Sequence, residues 1–141
     1  MAGPILINLP VGPALGSTLI AVVGTNDQTG GGVTGITQVG ATWQLAAKTA
    51  ADRTVEVWYS QIASPASPDI TINLNAGVFE GSAVVAEYAN IRIGSPVDQT
   101  FGSVSVGPTS TPNTGTGSPT THGNELWIAG IVTEEGKVVS N

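Results

Sequence analysis

"RTVEVWYSQI", residues 53–62, alternates residue by residue. Successive side chains of an extended chain point to opposite faces, so Val55, Val57 and Tyr59 share one side and Thr54, Glu56, Trp58 and Ser60 the other. No segment of the chain sustains a helical 3.6 period, and here the residue-by-residue alternation argues for a strand. The expected element is a half-buried strand, with the valines and Tyr59 on one face and a solvated polar face carrying Glu56 and Trp58.

The neighbouring segments repeat this logic. "DITINL", residues 69–74, places Ile70, Ile72 and Leu74 inward and Thr71 and Asn73 outward. "STLIAVVG" (17–24) and "SAVVAEYANI" (82–91) are almost continuously apolar, which predicts central strands covered on both faces. "PILINLP" (4–10), "ITQVG" and "ATWQLAA" add shorter strands, with Trp43 as an anchor, and "FGSVSVG" (101–107) a weak one. Alanine-rich "WQLAAKTAADR" (43–53) has the best helix propensity but room for one turn at most. Between the runs lie "TNDQTGGGVTG", "ASPASP", "NAGVFEG" and "GSPVDQT", which are turn chemistry. About eight to ten short strands at this spacing imply an all-β, two-sheet antiparallel β-sandwich.

Composition agrees with one domain over residues 1–141. Hydrophobic residues make up 40 %, too many for a disordered polar chain, and charged residues only 10 %, against roughly 25 % in ordinary domains. Net charge is −6, and Lys48, Arg53, Arg92 and Lys137 form no cluster. A nucleic-acid partner needs a basic footprint, and an anionic membrane surface needs the same. Neither partner is expected, and no apolar run is long enough for membrane insertion. "MAGPILINLPVGP" has no basic start and does not read as a signal peptide. The absence of cysteine removes disulfides and thiolate chemistry. Residues 107–122, "GPTSTPNTGTGSPTTH", contain nothing strongly apolar and read as an exposed Ser/Thr/Pro/Gly connection.

One phrase occurs twice. "GSTLIAVV" (16–23) and "GNELWIAG" (123–130) share a turn glycine, polar residues and a buried-strand pattern. In order, the chain shows "GSTLIAVVGTN", "ATWQLAA", "VEVWYSQIASPASPDITINL", "GSAVVAEYANI", "SPVDQT" and "THGNELWIAGI". This succession, over roughly residues 5–133, resembles a family of jelly-roll-like β-sandwich modules of bacterial secreted or cell-surface proteins and phage structural proteins. The resemblance implies display, adhesion or capsid and tail construction, an extracellular or virion-surface location, and no catalytic residues. It also implies further strands after "NELWIAGI", so the chain reads as a shortened version or one completed by a partner. A strand there with an unpaired edge would carry Trp127, Ile128 and Ile131, paired on one side by "EEGKVVSN" with Val138 and on the other by a neighbouring subunit. The expected partner is a second copy, in a homo-oligomer or lattice.

Chemistry-bearing residues are sparse. His122, the single histidine, stands at the end of the polar connection and reads as an exposed loop residue. No G-x-S-x-G, H-E-x-x-H or P-loop pattern occurs. Glu56 and Glu87 are the carboxylates a glycosidase would use, since that reaction needs two flanking one bond; pairing of a buried acid with Arg53, Arg92 or Lys48 is the structural alternative. Glu87 could also promote an isopeptide crosslink of Lys48 or Lys137 to Asn90. "TNDQTGGG" offers Asn26 and Asp27 as calcium ligands, but one carboxylate is too few, and a mobile turn fits better. No metal or cofactor is expected. Trp58, on the Glu56 side of its strand, is the best exposed ring for stacking on a glycan, with core filling and interface anchoring as rival roles. The functional expectation is therefore a non-catalytic assembly module, followed by a carbohydrate-binding or adhesion module, then a hydrolase.

Overall fold

The computed structural model describes residues 2–27, 30–49, 53–104 and 113–132. Among them are eight strands: β1 (Ile5–Asn8), β2 (Thr18–Asp27), β3 (Val33–Gln38), β4 (Ala41–Thr42), β5 (Gln44–Lys48), β6 (Arg53–Gln61), β7 (Asp69–Leu74) and β8 (Val78–Tyr88). They form two four-stranded sheets, ordered β1-β7-β3-β4 and β5-β6-β2-β8, with every pairing antiparallel. The all-β, two-sheet sandwich is as the alternation predicts. The alanine-rich stretch is strand β5 rather than a helical turn, because its backbone completes the ladder beside β6.

The core lies between the sheets. Leu19, Ala21 and Val23 of β2 meet Ile36 of β3 and Ile70 and Ile72 of β7, joined by Val33, Trp43 and Ile62. These alternate positions of β2 and β7 are at most 1 % exposed, so each slot is fixed by close packing. Trp43 is the expected anchor: its indole N–H donates to Gln38 Oε1 at 3.0 Å, and Gln38 Nε2 donates to the Ser67 carbonyl at 2.6 Å.

Two expectations reverse. The first concerns β6. Register pairs Thr54 with Thr25, Glu56 with Val23, Trp58 with Ala21 and Ser60 with Leu19, so the polar set faces the core. Thr54, Glu56 and Ser60 are fully buried, whereas Val55, Val57 and Tyr59 are only half-buried on the outer face. The second concerns β8. It is an edge strand rather than a central one, and Val84 on its outer face is 69 % exposed.

The segment after the polar connection also departs from expectation. Residues 113–132 contain no strand, and 101–104 contain none either. From Trp127 to Val132 exposure nevertheless alternates: Trp127, Ala129 and Ile131 are exposed, and Ile128, Gly130 and Val132 are half-buried. This is an extended arm laid across the outer face of the β5-β6-β2-β8 sheet. A β-carbon at Gly130 would stand 2.6 Å from a methyl of both Val22 and Val55, and one at Gly24 would be 3.6 Å from Val132. Over a sheet face the strand backbones are already paired, and side chains stand between arm and ladder. The arm therefore docks through side chains and makes no strand.

Candidate functional site

Glu56 lies at the centre of the reversed face. Its carboxylate has lost all contact with water but is well supplied with donors. Oε1 accepts the Val33 main-chain N–H at 2.8 Å and faces Lys48 Nζ at 3.1 Å; Oε2 accepts the Trp58 indole N–H at 2.8 Å. Lys48 also donates to the Gly31 carbonyl at 2.7 Å. An ionised carboxylate in a core persists only with such partners. Beside it, the Thr25 and Thr54 hydroxyls share a hydrogen bond of 2.6 Å. Among the described residues, Ser60 Oγ is the buried side-chain polar atom with no partner.

The glycine-rich stretch makes this network possible. Gly32 has φ +59, and a β-carbon there would lie 2.1 Å from Glu56 Oε1 and 2.7 Å from Thr54 Oγ1. Only glycine tolerates both the left-handed backbone and that approach. Asn26 is in β2, paired with Arg53 and Glu80.

These positions correct the sequence reading of the ligand residues. Glu56 is enclosed and cannot meet a glycan; Trp58 is half-buried and spends its N–H on Glu56. Glu87 is exposed, and its Oε1 accepts the Ala14 N–H at 2.7 Å. Glu56 pairs with Val23 and Glu87 with Leu19, on strands flanking β2. Four residues of strand separate those rungs by about 13 Å, beyond the span of a glycosidase pair. Lys48 lies on the Glu56 rung, whereas Asn90 follows β8 beyond the Thr18–Tyr88 rung, so the Lys48–Asn90 crosslink cannot close. Lys137 lies outside the described residues.

A second polar cluster ties the arm to the body. Thr121 donates its main-chain N–H to Asp98 Oδ2 at 2.7 Å and its hydroxyl to Oδ1 at 2.5 Å. These bonds, the hydroxyl's first, hold the Asp98 carboxyl at about 2, below the ordinary 3.8. Arg92 Nη1 approaches His122 Nε2 at 2.8 Å, while Arg92 Nε and Nη2 donate to the Ser95 carbonyl. Arginine can only donate, so in this contact Nε2 accepts and the ring hydrogen sits on Nδ1. Nδ1 then donates to Thr121 Oγ1 at 2.8 Å. A hydrolytic triad places the histidine between acid and hydroxyl; here the hydroxyl lies between acid and histidine, and Arg92 occupies the ring's other nitrogen.

Glu125 brings a third ligand atom within 4.8 Å of those of Asp98 and His122. For Nδ1 to coordinate a metal, the hydrogen would have to move to Nε2, against the Arg92 N–H. The cluster fits a loop clasp better than a metal centre. No residue pattern in the sequence announced it, because Asp98 and Thr121 are distant in the chain and are joined by a hydroxyl.

Of the expected assembly residues, Trp127 (68 % exposed), Ile131 (57 %) and the half-buried Ile128 belong to the arm, and Val138 lies outside the described residues. Trp127 stacks at a 34° tilt on Phe101, with ring centroids 6.1 Å apart. No family model, curated protein or solved structure matches this chain.

Proposed function

We propose that the chain is a non-catalytic assembly module, a β-sandwich displayed on a virion (capsid or tail) or a bacterial surface and self-associating through the sheet that carries the arm. One observation carries this reading. Trp127 and Ile131 point outward from the arm, and Val84, the cross-strand neighbour of Val22 beneath it, is 69 % exposed. Large apolar side chains gathered on one face of a soluble domain mark a contact surface. The resemblance of the sequence to display and capsid modules points the same way. Size-exclusion chromatography with light scattering tests it: assembly is expected at micromolar concentration, and a monodisperse monomer of 14.1 kDa overturns it.

Recognition of a surface glycan is the second reading, favoured by the exposed Trp127 ring, which leans on the half-buried Phe101, rather than by Trp58. A glycan array probed with wild type and Trp127→Ala distinguishes it: ligand binding lost with the ring supports a glycan site, and no binding by either chain removes it.

A further inference from the structure

The four sheet edges are not equivalent. β4 has two residues, and β1 has four, flanked by Pro4 and Pro10. β5 has five, with a register shift between Leu45 and Ala47 and a terminal lysine, Lys48. Shortness, proline, bulges and lysine are the devices by which edges are kept from pairing. β8 has none of them along its middle. It runs eleven residues, "VFEGSAVVAEY", without proline or lysine, and its one register shift lies at its start, opposite Asn26/Asp27. Among the described strands it pairs with β2 alone. Its outer face shows Val84 at 69 % exposure, and Ser82 beside it is also exposed.

We infer that β8 is the assembly edge, and that it pairs antiparallel with β8 of a second copy about a two-fold axis at Ala83. This inference rests on the self-association proposed above and specifies its geometry. The register follows from the strand itself. Residues opposite one another in a sheet share a face, so an antiparallel self-pair must place some residue opposite its own copy. Ala83 is the midpoint of Val78–Tyr88, and centring there gives the longest overlap. Ser82 then faces Val84 of the second copy, Glu80 faces Ala86, and Glu87 faces Phe79. No like charges oppose, as a self-pairing strand requires. The two sheets become one continuous eight-stranded sheet, and the interface is isologous.

The test reads mass by light scattering at about 100 µM, a concentration at which a specific dimer of micromolar affinity is saturated. Wild type is expected at twice 14.1 kDa. The S82K/V84K chain sets lysine against lysine twice across the axis and is expected as a monomer. The S82K/V84E chain sets lysine against glutamate twice and is expected to return to the dimer. Circular dichroism confirms that each keeps its sheet. A dimer that survives S82K/V84K overturns the β8 edge while leaving self-association standing. A folded S82K/V84E monomer overturns the register, and a monomeric wild type overturns both proposals. If the lysine chains do not fold, an equal mixture of Ser82→Cys and Val84→Cys chains decides: a disulfide-linked dimer upholds the pairing, and its absence under mild oxidation overturns it. The chain has no native cysteine to confuse that result.

Discussion

The two faces of β6 invert the usual relation between polarity and burial. The inner face presents Thr54, Glu56, Trp58 and Ser60 to the core, three of them wholly buried. The outer face presents Val55, Val57 and Tyr59, and the arm covers them only partly. A polar side chain can be buried when partners await it, and the inner face supplies them for Glu56 and Thr54: Lys48, the Val33 N–H, the Trp58 indole and Thr25. An apolar side chain can face outward when a segment from elsewhere in the chain lies over it. The inner face therefore holds specific, mutually dependent bonds, and the outer face a removable cover.

That difference sets a hierarchy of expected effects. Removing the Lys48 ammonium with Lys48→Met should act most strongly, because it takes away the cation that faces the buried Glu56 carboxylate; about 3 kcal/mol of stability is expected to be lost. Adding Glu56→Leu to that chain should recover part of the loss, and chemical denaturation of both variants measures the coupling. Equal losses in single and double variants would show that the pair is not the organising contact. Gly32→Ala comes next. Backbone strain at φ +59 and collision with the pinned carboxylate are expected to cost about 2 kcal/mol. Thermal unfolding reads this directly.

The outer face should yield smaller changes of a different kind. Gly130→Leu forces the arm away from Val22 and Val55. About 1 kcal/mol should be lost for the uncovered apolar area, with a rise in binding of a hydrophobic dye while the β-sheet spectrum stays unchanged. A change as large as that of Lys48→Met would mean that the arm belongs to the core. Smallest is the acid response of the clasp. The Asp98 carboxyl lies lower in the folded protein than its ordinary 3.8, so its contribution is present above that value. It fades as pH falls toward about 2, when Asp98 protonates and releases Thr121. Amide exchange at Thr121 should quicken over that window and be quick at all pH in Asp98→Asn, with the sandwich intact.

Much of the architecture was legible because it rests on period two. Ile70 and Ile72 of β7 and Leu19, Ala21 and Val23 of β2 announced themselves by alternation or β-branched runs, and each lies in the core. The inward direction of β6 was not legible. Alternation specifies that Thr54 and Val55 part ways but not which of them meets water, and polarity gave the wrong answer. Apart from Trp58, two residues along the same face, the partners that stabilise Glu56 come from β5 and from the chain around Gly32, contacts that no local pattern encodes. Residues 127–132 failed for the converse reason. They carry a strand's alternation, but they lie where no backbone is free to pair.

The sequence by itself determined the class of this protein: an all-β sandwich of low charge with glycine- and proline-rich turns. Side-chain period and turn chemistry are local properties, and both can be read residue by residue. Only the tertiary structure decided which face of β6 is buried, that β8 is an edge, and that the second copy of the repeated phrase is an arm. Those are properties of neighbours, settled by which backbone groups find partners and which apolar surfaces find cover.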